Sequence, residues 1–359
     1  MSTHPTIAVG MSGGVDSSVS ALLLKQQGYR VFGLFMKNWE ERDEQGVCRS
    51  ASDAEDVRRV CEQIDIPCYT LNFVDEYRHH VFARFIEEFE QGFTPNPDIL
   101  CNQEIKFKVF FEKALQLGAD GLATGHYCQN QAFEGRHCLV KGKDRSKDQT
   151  YFLYTLNHAL LDKVLFPVGG FEKSEVREIA RQHGLATADK KDSTGICFIG
   201  ERHFRTFLSQ YIALQPGNFE TLEGKIVGRH SGAAYYTLGQ RKGLGIGGAG
   251  AAWFVIGKDM KRGVVFVEQG ADHPALYSSE LTAAKLTWVS GEPPACPFRC
   301  QAKIRYRQAD QTCVIEQIEE ERAYVTFPEP QRAITPGQSI VFYSDEVCLG
   351  GGVIQPTKL

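Results

Sequence analysis

Thr6-Ile7-Ala8-Val9-Gly10-Met11-Ser12-Gly13-Gly14-Val15-Asp16-Ser17-Ser18 is the stretch on which the fold turns. A short β-branched apolar run ends in a glycine bend. Helical periodicity then begins, with Val15, Val19, Leu22 and Leu23 on one face and Gln26-Gln27-Gly28 as the stop. Gly13 and Gly14 let the backbone wrap an anion closely, and the helix start adds unpaired N–H groups and a favourable dipole. Ser12, Ser17 and Ser18 can donate to phosphate oxygens. Asp16 is expected either to hold a metal ion or to cap the helix. Such a strand, loop and helix make a place for phosphate.

The loop is not the commoner P-loop, because no lysine follows its glycines. A lysine at the β/γ-phosphates suits γ-phosphoryl transfer, so its absence favours chemistry between the α- and β-phosphates. Ser12-Gly13-Gly14-Val15-Asp16-Ser17 resemble the pyrophosphate-binding loop of the PP-loop ATPases, which adenylate a carbonyl oxygen and release pyrophosphate.

Outward from this loop, Arg30 to Met36 continues as a second buried strand and completes a βαβ unit. A helix from Ser52 to Ile64, a strand from Cys68 to Phe73 and a helix from Asp75 to Glu90 follow. Met36 falls at a strand's carboxyl end, where an adenine would sit. Two prolines then predict a loop, Gly92 to Asn102, before a helix over Lys106–Leu117. A fourth strand, Gly121–Thr124, ends at Gly125-His126-Tyr127, and a hairpin-like stretch covers Cys128–Gly142. Tyr151–Val164 reads as helix, Lys173–His183 as another, and Ala186–Asp189 as a last strand. This alternation predicts an α/β domain with a parallel doubly wound sheet over residues 1–211. Glycine-punctuated strands predict a β-rich central domain over 212–273, and short alternating strands a C-terminal β-barrel over 274–359.

At 359 residues the chain is long enough for two or three domains. It shows no export signal and no membrane-length apolar run. Its 11 cysteines are therefore expected to be reduced thiols in the cytoplasm. A net charge of −4 leaves any RNA contact to local basic patches. Lys141, Lys143, Arg145 and Lys147 form one, and Lys303, Arg305 and Arg307 are expected to share one face of a strand. Gly245-Ile246-Gly247-Gly248-Ala249-Gly250 matches a dinucleotide fingerprint but lacks the helix that should follow it, so it reads as a loop. Cys296 and Cys300 have no second ligand pair at zinc spacing, and no resident metal site is read.

Two cysteines stand apart, each expected in a loop beyond the sheet: Cys101, soon after Asp98, and Cys197, bracketed by glycines. At this point six blocks in order resemble the bacterial tRNA-specific 2-thiouridylases. They are Gly10 to Ser18, Asn96-Pro97-Asp98 with Cys101-Asn102 and Ile105-Lys106-Phe107, Thr124 to Tyr127, Lys147-Asp148-Gln149 with Tyr151-Phe152, Asp192 to Ile199, and a C-terminal set with Tyr236-Thr237, Arg305-Tyr306 and Pro336-Gly337-Gln338.

The resemblance implies ATP-dependent 2-thiolation of wobble uridine 34 in tRNAs for Lys, Glu and Gln. ATP, with Mg2+, is implied at Gly10, Met11, Ser12, Gly13, Gly14, Val15, Asp16, Ser17, Met36 and Gly125. Cys197 is implied as the persulfide carrier, Cys101 as the second thiol that closes a Cys101–Cys197 disulfide, and Asp98 as the proton handler. Asn96, Pro97 and Asp98 are implied at the target base. His126, Lys147, Asp148, Gln149, Arg305, Tyr306 and Gln338 are implied at the tRNA. A persulfide-relay protein is the implied sulfur donor, and a monomer with no membrane contact is expected. Two other classes stay open: a PP-loop ligase or amidotransferase using ammonia, and a tRNA-binding regulator that holds ATP as a structural ligand.

Overall fold

A computed structural model describes residues 4–40, 49–191, 204–213 and 215–356. The first strand β1 (Thr6–Met11) leads through Gly14 into α1 (Val15–Gln26). After it come β2 (Arg30–Lys37), α2 (Arg49–Gln63) and β3 (Cys68–Asn72). The next helical stretch is α3 (Val74–Tyr77), a π-turn (Arg78–Phe82) and α4 (Ala83–Glu90). Helix α5 (Pro97–Leu100) runs through a π-helical segment (Cys101–Val109) into α6 (Phe110–Gln116), and β4 (Gly121–Thr124) follows.

A hairpin, β5 (Cys128–Phe133) and β6 (Arg136–Lys141), precedes α7 (His158–Leu161), β7 (Val164–Leu165) and α8 (Lys173–Gln182). Four adjacent parallel pairings give the order β3-β2-β1-β4-β7. β1, β4 and the middle of β2 are buried on both faces and run apolar, whereas the edge strand β3 is largely exposed. Ile7, Val9 and Met11 pack with residues of α1, α2 and α8, while Ala8 and Leu34 pack with the aromatic residues of α3 to α6. The order reverses between β1 and β4, which opens a crevice at their carboxyl ends.

Three expectations for this region are corrected. Ala186–Asp189 is a turn, and the fifth strand is the two-residue β7. Tyr151–Val164 is not one helix: a 3-10 turn (Thr150–Phe152), α7 and β7 divide it, because Asn157 caps a new helix start with its side chain. The helix expected from Lys106 begins at Pro97, since Asn96 accepts from the Asp98 and Ile99 N–H groups and Pro97 occupies the first turn. Cys101 therefore lies on a helix, 1% exposed, rather than in a loop.

After α9 (Phe204–Leu208) the chain turns to strands. β8 (Gly217–Glu220), β9 (Ile226–His230), β10 (Trp253–Asp259) and β11 (Val264–Gln269) form a sheet ordered β10-β11-β8-β9. The glycine-rich stretch before β10 is loop. β12 (Tyr277–Trp288), β13 (Phe298–Lys303), β14 (Gln311–Glu319), β15 (Arg322–Arg332), β16 (Ser339–Ser344) and β17 (Val347–Ile354) close into a six-stranded barrel by the β12–β17 pairing.

The β5–β6 hairpin joins that barrel's sheet, with Val140 opposite Val347 and Leu139 opposite Cys348. One hydrophobic core accordingly runs from the helices over the parallel sheet to Val341, Tyr343 and Cys348 of the barrel. The crevice at the carboxyl edge of the parallel sheet and the barrel are held as neighbours by this shared core.

Candidate active site at the sheet's switch point

The loop after β1 is drawn tight by its own hydroxyls. Ser12 N and Gly14 N donate to Ser17 Oγ (3.1 Å) and Ser12 Oγ (3.3 Å), and Ser18 Oγ donates to Gly14 O at 2.8 Å. Gly13 has φ +75°, and a Cβ there would stand 2.8 Å from Asp53 O on α2. A Cβ on Gly125, just past β4, would stand 2.7 Å from Ser17 N at the start of α1. Both glycines are thus required by close backbone approach. The result is a cradle of main-chain N–H groups at a helix N-terminus, placed where the strand order reverses. Met36 is half-buried at the carboxyl end of β2, on the cradle's other flank. Gly10 and Met11 end β1 beneath it, and Val15 is buried in the first turn of α1.

Asp16 does not cap α1. Gly14 is the N-cap residue and no side chain bonds there. Instead Asp16 Oδ1 and Oδ2 accept from Lys173 Nζ at 2.7 and 2.8 Å, and Oδ1 also accepts from the Tyr127 hydroxyl at 2.7 Å. Lys173 is 8% exposed and opens α8, 157 residues from its partner in sequence. A lysine in the first turn of a helix opposes the macrodipole, and that misfit is the signal from which it could have been found. A second lysine, Lys190, binds Asp53 (2.7 Å) and Asp56 (2.6 Å) beside the cradle. Burial would lower its pKa, but those two carboxylates hold it above the ordinary lysine value.

The geometry suits an anionic polyphosphate better than a caged metal. Asp16 is already neutralised, and among the described residues no group of three metal-ligating side chains converges. A Mg2+ ion would arrive on the nucleotide's phosphate oxygens, with Asp16 the nearest carboxylate on the loop.

From Gly125 a continuous set of contacts leads to the barrel. His126 Nδ1 lies 2.7 Å from Thr124 Oγ1, and its Nε2 lies 3.4 Å from Lys106 Nζ. Burial first, and the Lys106 charge second, push His126 well below the ordinary histidine pKa. Its ring is therefore neutral at pH 7 and accepts at Nε2 from the ammonium, which has no lone pair to offer. Lys106 also donates to Asn102 Oδ1 at 2.7 Å, and Asn102 Nδ2 donates to Phe152 O at 3.0 Å. Phe152 packs on Tyr306, with ring centroids 4.4 Å apart. Asn96, Pro97 and Asp98 form the helix start on this same element, one turn before Cys101. Gln338 Nε2 donates to Thr94 O at 2.7 Å and ties the barrel to that helix start. Cys197 and its neighbours Asp192 to Ile199 lie outside the described residues.

The two basic patches face each other across a cleft of about 700 Å3 that includes Arg145, Lys147, Lys303 and Arg307. The expected strand face is corrected, because β13 ends at Lys303 and Arg305 and Arg307 lie in the following bend and turn. Lys141 and Lys303 point inward to Asp310 and Asp148. Asp148 is 5% exposed and also accepts from Gly142 N and from Thr150 N and Oγ1. Gln149 is spent on Tyr127, accepting from its N–H and donating to its carbonyl. Arg305 donates to Arg332 O and Ala333 O. Among the implied tRNA contacts, these residues therefore build the junction.

Fold and cradle together define a nucleotide-binding α/β domain followed by two β modules. Residues 5–201 match the family described as the tRNA methyl transferase HUP domain, 205–269 its PRC-barrel domain, and 278–354 an aminomethyltransferase beta-barrel domain. The tRNA-specific 2-thiouridylase MnmA of Protochlamydia amoebophila is 70% identical over 356 residues, 99% of this chain and 94% of that protein. The protein of that name in Geobacillus thermodenitrificans is 55% identical over 352 residues (98% and 95%). That of Alkaliphilus oremlandii is 57% identical over 350 residues (97% and 96%). This chain belongs to the tRNA-specific 2-thiouridylase family.

Proposed function

We propose that this protein uses ATP to convert the wobble uridine (position 34) of tRNAs for Lys, Glu and Gln to 2-thiouridine, as a monomer in the cytoplasm. One observation carries the reading: near-full-length identity to proteins of that name coincides with a phosphate cradle at the switch point of a parallel sheet. Methyl transfer, the chemistry in the family model's description, would leave that cradle without a task. The described residues include no helix long and apolar enough to cross a membrane.

The C2 carbonyl of uracil lies between two nitrogens and is a poor electrophile, and oxide is a poor leaving group. Attack of uracil O2 on the α-phosphorus forms an O–P bond while the Pα–O bond to pyrophosphate breaks. Asp98, in the first turn of α5, takes the N3 proton. The cradle N–H groups and Lys173 bind the pyrophosphate, so its charge is met by fixed donors. Mg2+, carried in with ATP, adds charge neutralisation at the phosphates. The terminal sulfur of a Cys197 persulfide then attacks C2, the C2–O2 bond breaks, and AMP leaves with the electron pair.

The uridine is now joined to Cys197 through a disulfide. The Cys101 thiolate attacks the Cys197 sulfur, releases the thiouridine sulfur and leaves a Cys101–Cys197 disulfide. A dithiol reductant returns the two electrons, and a persulfide-relay protein recharges Cys197. Cys101, buried on its helix, is shielded from adventitious oxidation until the base arrives. The experiment is direct: protein, ATP, a persulfide donor, a dithiol and unmodified tRNA, with nucleosides analysed by mass. The expected products are 2-thiouridine, AMP and pyrophosphate in equal amounts. Ammonia incorporation, or no tRNA-dependent pyrophosphate, overturns the reading.

A further inference from the structure

Four lysines at the cradle and the junction have carboxylate partners. Lys173 has Asp16, Lys190 has Asp53 and Asp56, Lys141 has Asp310, and Lys303 has Asp148 and Asp310. Lys106 differs. Its ammonium is held by an amide oxygen (Asn102, 2.7 Å) and a neutral imidazole (His126, 3.4 Å), with no carboxylate in ion-pair range among the described residues. A half-buried charge held only by neutral groups is costly unless a counter-charge arrives.

The place of Lys106 says where such a charge would come from. Through His126 it adjoins Gly125, whose Cα faces the first N–H groups of α1. Through Asn102 it adjoins Cys101 on the same helix. It therefore links the helix that carries Cys101 to the residue beside Gly125 at the edge of the phosphate cradle. An ammonium has three hydrogens, and Asn102 and His126 take two.

We propose that Lys106 is a catalytic residue of the adenylation step, its third hydrogen meeting a non-bridging α-phosphate oxygen as uracil O2 attacks. Asn102, His126 and Thr124 are positioning residues that aim it. Thr124 Oγ1 takes the His126 Nδ1–H, which fixes the tautomer that presents a lone pair to Lys106. No new bond is made by Lys106, and its proton stays in place. It acts by charge placed where negative charge grows.

This inference rests on the thiouridylase reading, and the test separates the two. Single-turnover, tRNA-dependent pyrophosphate release is measured beside equilibrium binding of α,β-methylene ATP. Lys106→Met is expected to slow release by roughly 10²–10³-fold while analogue affinity moves less than about threefold. Lys106→Arg restores part of the rate. Thr124→Val, which breaks the tautomer lock, costs about tenfold in rate with unchanged analogue affinity. Release within about threefold of wild type in Lys106→Met overturns the inference, as does a loss of analogue affinity as large as the loss of rate. Should Lys106→Met fail to fold, Thr124→Val decides: a wild-type rate overturns the inference. Wild-type protein that releases no pyrophosphate with tRNA overturns the functional reading, and this inference with it.

Discussion

Two clusters of lysine and aspartate in this molecule are built alike and do opposite work. At the cradle, Lys173 holds Asp16 across 157 residues of sequence. At the junction, Lys141 holds Asp310 at 2.6 Å across 169 residues, and Lys303 reaches Asp148 at 3.5 Å across 155. The junction cluster is closed: Lys141 and Lys303 lie 4.5 and 5.2 Å from the Tyr343 ring centroid, and Thr150 meets the Tyr343 hydroxyl. The cradle cluster lies at a helix start, beside main-chain N–H groups that can receive an anion. Composition alone does not separate a ligand-binding charge from a structural one. What separates them is whether donors nearby are left for something else.

The largest effect belongs to neither cluster but to the two cysteines, Cys101 and Cys197. Cys101→Ser and Cys197→Ser should each cut 2-thiouridine formation more than roughly 10³-fold, while tRNA affinity stays near wild type. Turnover retained in either variant breaks the sulfur scheme and leaves the comparison of clusters standing.

Next come the two lysines, which should fail in different ways. Lys173→Met should lower kcat/KM for ATP roughly 10²-fold, because the charge that offsets Asp16 beside the cradle is gone. Its effect on the denaturant midpoint should be the smaller of the two, since the Tyr127 hydroxyl still donates to Asp16 once the lysine is gone. Lys141→Met should do the reverse. It removes an ammonium that is 4% exposed and held by Asp310, the Asp345 carbonyl and the Tyr343 ring, and should cost about 3 kcal/mol of stability by denaturant unfolding, with ATP affinity unchanged. Similar losses of ATP affinity in both variants would erase the distinction between the clusters.

What could be read from the sequence follows the same division. The cradle is contiguous, so Gly13, Gly14 and the first turn of α1 were legible from local pattern, as were four of the five parallel strands and the barrel class. Lys173 was not, because its role exists only once α8 packs beside α1. Two prolines signal a break before Cys101, yet Asn96 caps a helix that starts at Pro97 and carries Cys101 out of the expected loop. The β5–β6 hairpin was visible as a hairpin, but nothing local says that it pairs with β17, more than two hundred residues later. Asp148, implied at the tRNA, and Lys303, expected in a basic patch, give no local sign that the junction brings them together in one half-buried pair.

The smallest expected effect is the sharpest test of the junction's two sides. A phosphate-binding cation releases counterions, so its removal lowers the slope of log affinity against log salt by about one. Lys303 is committed to Asp148 and Asp310 and lies 13% exposed, so Lys303→Ala should leave that slope unchanged while lowering stability. Arg307 is exposed, in a turn with φ +66°, its guanidinium 5.4 Å from the Tyr306 ring centroid at the rim of the cleft. Arg307→Ala should reduce the salt slope for tRNA by about one, equally for every cognate tRNA, with stability within roughly 0.5 kcal/mol of wild type. Were Lys303 the variant that changed the slope and Arg307 the one that did not, the cleft would have to open on binding RNA. The junction's ion pairs would then be its latch rather than its foundation.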